Sequence, residues 1–221
     1  MKREILITSD GSTTIHLPEW NEQYHSKHGA IQEAYHVFIK HGLNQFISNE
    51  AISVLEIGFG TGLNAFITYL EAKKYQSTID YIGIEAYPVR QEEVSQLNYI
   101  YELKVDREQA VFDEMHSLSW DKRHVVSNYF SLTKRKQFFD TIKDIELYDI
   151  IYYDAFGARV QPELWTVEIF KKMFTALKQG GVLVTYSAKG SVRRAMQEVG
   201  FVVERLPGPP GKREMLRGTK R

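Results

Sequence analysis

Residues 54–66 read VLEIGFGTGLNAF, and the architecture of the chain can be worked out from this segment. The apolar run at 52–57 has the length and composition of a buried strand, and a glycine-rich turn at 58–62 follows it. Glycines allow the backbone to turn sharply and to approach a ligand closely, and a turn of this kind commonly leads into a helix N-terminus. The segment therefore predicts a strand, a ligand-binding turn and a helix over residues 63–74.

The glycine turn differs from the two best-known phosphate-binding motifs. The dinucleotide fingerprint would need a glycine at position 63, where Leu63 stands, and the P-loop lysine is missing. Glu85, however, ends the next predicted strand 23 positions after Gly62, where an acidic side chain can accept hydrogen bonds from both ribose hydroxyls. Each feature alone also fits a structural turn or a solvated acid. Together they favour a ligand that contains adenosine.

Strands and helices alternate along the rest of the chain, which predicts a mostly parallel sheet with helices on both faces. Only residues 206–212 separate the last two strands, too few for a helical crossover, so these strands should form an antiparallel hairpin. The N-terminal part reads as a hairpin at 5–17 and a helix at 29–41. The further predicted strands lie at 81–84, 125–130, 148–153, 182–186, 201–204 and from 214, and the further helices from 89, at 106–115, at 162–180 and at 192–199.

The composition excludes several kinds of site. The chain has 221 residues, with 28 basic side chains, 28 acidic side chains and no cysteine, so it has no disulfide, thiolate zinc site or cysteine nucleophile. We expect no metal ion and, because no apolar segment has signal or membrane-spanning length, a cytoplasmic protein. Zero net charge gives no support to a nucleic-acid partner, but residues 189–221 carry nine Lys or Arg against three Glu. This excess is either a solvated tail or a surface for a polyanion.

Four sequence blocks resemble one family, in the same order along the chain. They are the segment 54–66; YDAFGARVQPELW at 153–165, with an aspartate at the tip of the fourth strand; SAKGSVRR at 187–194; and GPPGKREMLR at 208–217. A weaker match covers YHSKHGAIQEAYHVF at 24–38. In these blocks the chain is similar to the tRNA 5-methylaminomethyl-2-thiouridine methyltransferases, which also occur as the N-terminal half of a bifunctional enzyme.

The resemblance implies an α/β protein with the Rossmann-like class I methyltransferase fold, a seven-stranded, mostly parallel sheet whose last strand is reversed. Residues 1–45 would be a substrate-side extension, and residues 46–221 the methyltransferase domain. The implied cofactor is S-adenosylmethionine, with Glu56 placed to meet its methionine amino group. The implied cofactor-binding residues are Glu56, Gly58, Gly60, Thr61, Gly62 and Glu85.

Asp154 is the candidate catalytic residue, since it occupies the position of the family's catalytic aspartate. An alkylamine substrate is mostly protonated at pH 7, because its pKa is close to the lysine value of about 10.4, and it must lose a proton before it can attack a methyl group. A carboxylate at a strand end can hold the ammonium ion, orient its nitrogen and accept or relay the proton. Apart from the resemblance, a strand-end aspartate can equally be a residue that caps the next turn.

The implied reaction is methyl transfer to the amine of 5-aminomethyl-2-thiouridine at the tRNA wobble position. The candidate contacts to tRNA phosphates are Arg193, Arg194, Lys212 and Arg213. The chain has no room for the flavin oxidase of the bifunctional relatives, so we expect another route or a separate oxidase protein to supply the aminomethyl group. Two alternatives stay open: an aminopropyltransferase of the spermidine synthase type, which shares the strand-end acids, and a non-catalytic adenosine-binding module, which would not need both Glu85 and Asp154.

Overall fold

The fold is built on two β-sheets. The structure is a computed structural model that describes residues 2–221. The strands are β1 (Glu4–Ile7), β2 (Thr13–Leu17), β3 (Glu22–Gln23), β4 (Ala51–Ile57), β5 (Thr78–Ile84), β6 (Arg123–Ser127), β7 (Phe130–Arg135), β8 (Tyr148–Tyr153), β9 (Leu177–Thr185), β10 (Phe201–Pro207) and β11 (Glu214–Lys220). The α-helices are α1 (Ala30–Ala34), α2 (Leu63–Tyr75), α3 (Gln91–Val94), α4 (Tyr99–Leu103), α5 (Gln109–Ser117), α6 (Val167–Ala176) and α7 (Gly190–Glu198). A π-helical segment, Tyr35–Lys40, continues α1.

The large sheet is mostly parallel, as the alternation of strands and helices predicts. Its strand order is β10-β11-β9-β8-β4-β5-β7-β6. The five strands β9, β8, β4, β5 and β7 are parallel neighbours, and β11 lies antiparallel between β9 and β10, which confirms the predicted C-terminal hairpin. Strand β4 lies inside the sheet between β8 and β5, so the glycine turn at its carboxyl end is flanked by the ends of both neighbours.

The sheet has eight strands where the sequence predicts seven, because the segment predicted as one strand at 125–130 is a hairpin. Strand β6 ends at Ser127, and β7 begins at Phe130, which pairs with Ile79 of β5. The outer strand β6 is at the sheet edge, where Val125 is 70 % exposed. Only Ser127 and Asn128 separate the two valines of β6 from Tyr129 and Phe130, so the apolar pattern reads as one strand across the turn.

The helix predicted over 162–180 is also wrong in its extent. A short 3-10 helix, Pro162–Trp165, comes first, and α6 then begins after Thr166, whose hydroxyl accepts a hydrogen bond from the backbone N–H of Ile169. Helix α6 ends at Ala176, and the pair Gly180-Gly181 lies within β9, where the pairing with β8 shifts in register. The glycines therefore form a strand irregularity, whereas the sequence suggests a helix C-cap.

Apolar layers cover both faces of the large sheet, and strand residues alternate between them. Val54 and Tyr152 lie in the layer that includes side chains of α1, α2 and α5, whereas Leu55 and Tyr153 lie in the layer that includes those of α6 and α7. All four side chains are fully buried. Strands that are apolar on both faces are typical of a covered parallel sheet, in which a ligand can approach only at the strand ends.

The predicted N-terminal hairpin is confirmed, because β1 and β2 pair antiparallel, and β3 adds a third strand. Two side-chain contacts tie it to the segment that follows β5. Asn98 Oδ1 accepts a hydrogen bond from the backbone N–H of Thr13 at 2.8 Å, and the Arg3 guanidinium donates to the Glu93 carboxylate at 2.9 Å. The predicted domain boundary after residue 45 stays a prediction.

Gly58 is a glycine whose replacement should disturb the ends of β4 and β8. It has a φ of +93°, and a Cβ there would lie 2.7 Å from the carbonyl oxygen of Asp154. Gly180 has a φ of +81° with nothing within 4 Å of its Cβ position, so it is a matched control. Gly58→Ala and Gly180→Ala should share a conformational cost of about 1–2 kcal/mol, and Gly58→Ala should lose additional free energy of unfolding because the end of β8 must move. Equal losses in urea unfolding would show that only the backbone angle matters.

Candidate functional site

A cavity of about 1070 Å³ opens at the carboxyl ends of β4, β5 and β8. Its wall includes the glycine turn, the strand-end acids Glu85 and Asp154, and the aromatic side chains Trp20, Tyr24 and Phe156. Among the predicted site residues, those that border the cavity are Gly58, Gly60, Thr61, Glu85 and Asp154, and those that do not are Glu56 and Gly62.

The glycine turn is held against the end of β5. The backbone N–H groups of Gly58 and Phe59 both donate to the carbonyl oxygen of Ile84, at 3.0 and 2.9 Å. The backbone N–H of Gly60 donates to Glu85 Oε2 at 3.0 Å, and that of Tyr87 donates to Glu85 Oε1 at 2.9 Å. These two bonds fix the Glu85 carboxylate at the cavity wall.

Thr61 links the turn to the N-terminal part of the chain. Its hydroxyl accepts a hydrogen bond from the Tyr99 hydroxyl at 3.0 Å and lies 3.4 Å from His25 Nε2. Burial lowers the pKa of His25 to about 4, so this imidazole is neutral at pH 7. The next residue, Gly62, precedes α2 with a φ of +72° and lies behind the cavity wall.

Glu56 lies beneath the cavity and does not reach it. Its side chain is 0 % exposed, and its Oε1 accepts a hydrogen bond from Asn64 Nδ2 at 2.9 Å. The same nitrogen of Asn64 donates to Asp154 Oδ2 at 2.8 Å. Sequence reasoning passes over Asn64, although it belongs to the segment from which the fold is deduced.

Asp154 is positioned by the sheet, since its backbone N–H donates to the carbonyl oxygen of Ile57 at 2.9 Å. The pKa of its carboxyl group is raised to about 7, because burial and, to a smaller extent, the nearby Glu33 carboxylate raise it more than the Asn64 amide and the Lys212 ammonium lower it. A carboxyl group with this pKa can exchange a proton close to neutral pH.

Lys212 faces this region, although the sequence suggests that it contacts RNA. Its ammonium group lies 2.5 Å from Glu33 Oε1 and 3.9 Å from the centroid of the Tyr186 ring. The second oxygen of Glu33 accepts a hydrogen bond from the backbone N–H of Ser26 at 2.9 Å. Because Glu33 and Lys212 are 179 residues apart, the N-terminal and C-terminal segments meet beside Asp154. No sequence pattern indicates this ion pair.

A basic groove of about 600 Å³ lies on the other side of Tyr186. Its lining includes four basic residues, Lys189, Arg205, Lys212 and Arg213, and one acidic residue, Glu214. Of the four predicted RNA contacts, only Lys212 and Arg213 border this groove. Arg193 and Arg194 on α7 do not, and Arg194 is exposed.

Within residues 2–221, no three His, Cys, Asp or Glu side chains are grouped so that they could hold a metal ion. In the same part of the chain, no helix is long and apolar enough to cross a membrane.

The sequence matches known proteins over most of its length. Residues 124–221 match a family described as S-adenosyl-L-methionine-dependent methyltransferase. A protein of Polaromonas naphthalenivorans (strain CJ2) is 30 % identical over 236 residues, which cover 99 % of this chain and 36 % of that protein. A protein of Hydrogenovibrio crunogenus is 27 % identical over 213 residues, which cover 90 % of this chain and 31 % of that protein. Both are named tRNA 5-methylaminomethyl-2-thiouridine biosynthesis bifunctional protein MnmC, and the chain spans about a third of their length.

The fold matches solved structures. MnmC2 from Aquifex aeolicus superposes with a TM-score of 0.78 at 22 % identity, over 100 % of this chain and 70 % of that one. Spermidine synthase from Thermotoga maritima superposes with a TM-score of 0.52 at 13 % identity, over 95 % of this chain and 68 % of that one. The chain therefore has the α/β fold, with its mostly parallel central sheet, that the sequence predicts.

The raised pKa of Asp154 predicts how the stability of the protein depends on pH. Its ordinary value is 3.8 and its folded value about 7, so the folded state binds the additional proton between these limits, and stability is lost as the pH rises through this window. Asp154→Asn cannot ionise and should avoid this loss. The free energy of unfolding of Asp154→Asn minus that of the wild type should therefore increase by about 2–4 kcal/mol from pH 4.5 to pH 8. A difference that is independent of pH, in urea unfolding of both proteins, would contradict the raised pKa.

Proposed function

We propose that the chain is an S-adenosyl-L-methionine-dependent methyltransferase, the family that its residues 124–221 match, and that it methylates an amine on a tRNA base. The proposed substrate is 5-aminomethyl-2-thiouridine at the wobble position, and the product is 5-methylaminomethyl-2-thiouridine. The observation that carries the proposal is the Asp154 carboxyl group at the cavity wall, with its pKa of about 7. Such a group in a cavity with aromatic walls fits a protonated amine on a nucleobase.

The glycine turn and Glu85 would hold S-adenosylmethionine, which supplies a methyl group on a positively charged sulfur. Gly58 and Gly60 leave bare backbone at the cavity wall, and a Cβ at Gly60 would lie 3.1 Å from the Tyr24 ring and narrow the space. Each oxygen of Glu85 accepts one backbone N–H and keeps a lone pair for a ribose hydroxyl. Thr61 borders the same space, so these residues fit the cofactor.

Asp154 would hold the ammonium group of the substrate and accept its proton. With a pKa of about 7, a large fraction of Asp154 is ionised at neutral pH, and an arriving ammonium ion favours the ionised form further. The proton would pass from the amine nitrogen to the carboxylate, which leaves the nitrogen a lone pair for the new bond to the methyl carbon, while the bond between this carbon and sulfur would break with its electron pair left on sulfur. Because burial brings the pKa of the acid closer to that of the amine, the transfer costs less free energy than in water.

The aromatic wall would receive the nucleobase. Phe156 contacts Trp20 and Tyr24 edge to face, with ring centroids 5.7 and 4.9 Å apart. Aromatic side chains beside a reactive group are a common means of holding an unstacked base of single-stranded RNA. Phe156 lies two residues after Asp154, so the base and its amine would be positioned by the same segment.

The basic groove would contact the tRNA backbone next to the target base. Tyr186 lines the groove, and its hydroxyl donates to the carbonyl oxygen of Ala155 at 2.7 Å, directly after Asp154 at the cavity wall. Arg193 and Arg194 lie outside the groove and remain candidates for a second contact. We further propose that a separate oxidase protein produces the aminomethyl group and that the reaction takes place in the cytoplasm.

The proposal is tested by incubating the protein with labelled S-adenosylmethionine and tRNA that bears 5-aminomethyl-2-thiouridine. Mass spectrometry of the nucleosides should show one added methyl group on this base. Asp154→Asn should reduce single-turnover methylation by roughly 10²–10⁴, the usual contribution of a positioned acid–base group, and a higher pH should partly restore it. No labelled nucleoside, together with aminopropyl transfer to a diamine from the decarboxylated cofactor, would favour the spermidine synthase alternative.

The groove is tested by removing single positive charges from its exposed part. Lys189→Ala and Arg213→Ala should each raise the apparent KM for tRNA and flatten the dependence of log KM on log salt by about one unit, because one phosphate contact is lost. Lys122→Ala is the matched control, since Lys122 is exposed just before β6, at the opposite edge of the sheet. Equal salt slopes for all three variants and the wild type would mean that the groove does not bind the RNA backbone.

A further inference from the structure

We infer that Asn64, anchored by the buried Glu56, fixes the Asp154 carboxylate through its side-chain amide, and that Glu56 has this anchoring role instead of binding the cofactor. Asn64 would thus be a positioning residue, with Asp154 the group that meets the substrate. The inference rests on the proposed function for the meaning of Asp154, but its geometry is independent of the substrate.

The three side chains form a short chain of hydrogen bonds from the interior of the sheet to the cavity. Asn64 Nδ2 donates to Glu56 Oε1 at 2.9 Å and to Asp154 Oδ2 at 2.8 Å. An amide nitrogen carries two hydrogens, and both are used here. Asn64 is 3 % exposed and belongs to the first turn of α2, so the rigid start of the helix sets the position of its amide.

The orientation of the amide follows from its neighbours. A flipped Asn64 would direct its carbonyl oxygen at oxygens of both carboxyl groups, and only protonated acids could then form the two bonds. When the amide nitrogen of Asn64 faces Glu56 and Asp154, both carboxyl groups can accept a hydrogen bond from it, whatever the protonation state of Asp154. This orientation is therefore the one that holds an ionised Asp154.

Glu56 is placed to anchor this amide and not to meet a ligand. Its side chain is 0 % exposed, it does not border the cavity, and its Oε2 has no hydrogen-bond partner among the described residues. Burial raises its pKa well above the ordinary value of 4.5, and the negative charges of Asp154 and Glu85 raise it further. Burial therefore favours the neutral form of Glu56, and its enclosed position keeps its carboxyl group away from a ligand in the cavity.

Because Asn64 binds Oδ2, the two oxygens of Asp154 have different roles: Oδ2 is held by the amide and Oδ1 is available to the substrate. Within residues 2–221, no group donates a hydrogen bond to Oδ1, so this oxygen remains for the substrate amine. Holding one oxygen keeps the other at a fixed distance and angle, which is what transfer from a bound amine requires. The same bond favours the ionised form of Asp154, and it opposes the effect of burial on the pKa.

Two sets of variants test the inference without relying on methylation. Glu56→Gln keeps the size and the acceptor of Glu56, so its affinity for S-adenosylmethionine in calorimetry should stay within about threefold of the wild type. Glu85→Gln replaces one of two acceptor oxygens by an NH2 group, which can accept neither a backbone N–H nor a ribose hydroxyl, so it should weaken binding at least tenfold. A loss in Glu56→Gln equal to that in Glu85→Gln would overturn the inference, because Glu56 would then be a cofactor ligand.

The second set concerns Asn64. Asn64→Leu keeps the approximate shape of the side chain but removes the hydrogen-bond donor. Asn64→Ala also removes the donor and introduces a smaller side chain, and it is used if the Asn64→Leu protein does not fold. In either background, the pH at which Asp154 ionises should rise by about one unit, measured from the pH dependence of unfolding with and without Asp154→Asn. In active protein, the acid limb of kcat/KM should move in the same direction, and kcat should fall more than KM rises.

An unchanged ionisation pH in a folded Asn64 variant would overturn the positioning role. A shifted ionisation pH in a protein that methylates no tRNA would contradict only the proposed function.

Discussion

The site depends on one close approach of backbone, between Gly58 at the end of β4 and the carbonyl oxygen of Asp154 at the end of β8. A Cβ at Gly58 would lie 2.7 Å from that oxygen, so only glycine permits the two strand ends to stay adjacent as β4 turns into α2. The hydrogen bond from the Asp154 backbone N–H to the Ile57 carbonyl, 2.9 Å long, requires the same proximity. On the other side of β4, the N–H groups of the turn are bound to Ile84 and Glu85. Three strand ends are thereby locked together, and the acids they carry have almost no freedom to separate.

Four carboxyl groups consequently surround one small region: Glu33, Glu56, Glu85 and Asp154. In water they would repel one another only weakly, but burial removes the solvent that stabilises their charges. The structure responds in three ways. Burial raises the pKa of Glu56 and favours its neutral form, Glu85 accepts hydrogen bonds from two backbone N–H groups, and Glu33 is paired with Lys212. The pKa of Asp154 is raised only to about 7, so this carboxyl group exchanges its proton close to neutral pH. The negative charges of such a site are incompletely balanced without a ligand, so the site suits positively charged ligands. A sulfonium cofactor and an ammonium substrate are consistent with it.

The sequence predicts the fold well because the relevant information is local. The glycine turn, the strand-end acid Glu85 and the alternation of strands and helices all lie within short windows, and they place Asp154 at a strand end facing the ligand crevice. The sequence predictions are wrong where one local pattern fits two different local structures. The β6–β7 turn follows an exposed valine that reads as buried, and Gly180-Gly181 reads as a helix stop although it lies within β9. The bridging by Asn64 and the pairing of Glu33 with Lys212 could not be predicted, because they depend on distances between segments that are far apart in the chain. The ligand-binding roles of the individual residues stay predictions.

The resemblance of the fold to spermidine synthase indicates where specificity has to arise. The two chains share the fold over most of this chain's length, with a TM-score of 0.52 at 13 % identity. The sheet by itself therefore does not determine which substrate such a protein would take. The side chains around the proposed substrate site also come from the N-terminal segment, which provides Trp20 and Tyr24 at the cavity wall and Glu33 near Asp154, and from the C-terminal hairpin, which provides Lys212 and Arg213 at the groove. The Glu33–Lys212 ion pair joins these two elements near Asp154, so the surroundings of this carboxyl group depend on both end segments of the described chain. Under the proposed function, this contact between the two end segments would influence which substrate is accepted, whereas the strand ends would supply the acid that holds the amine.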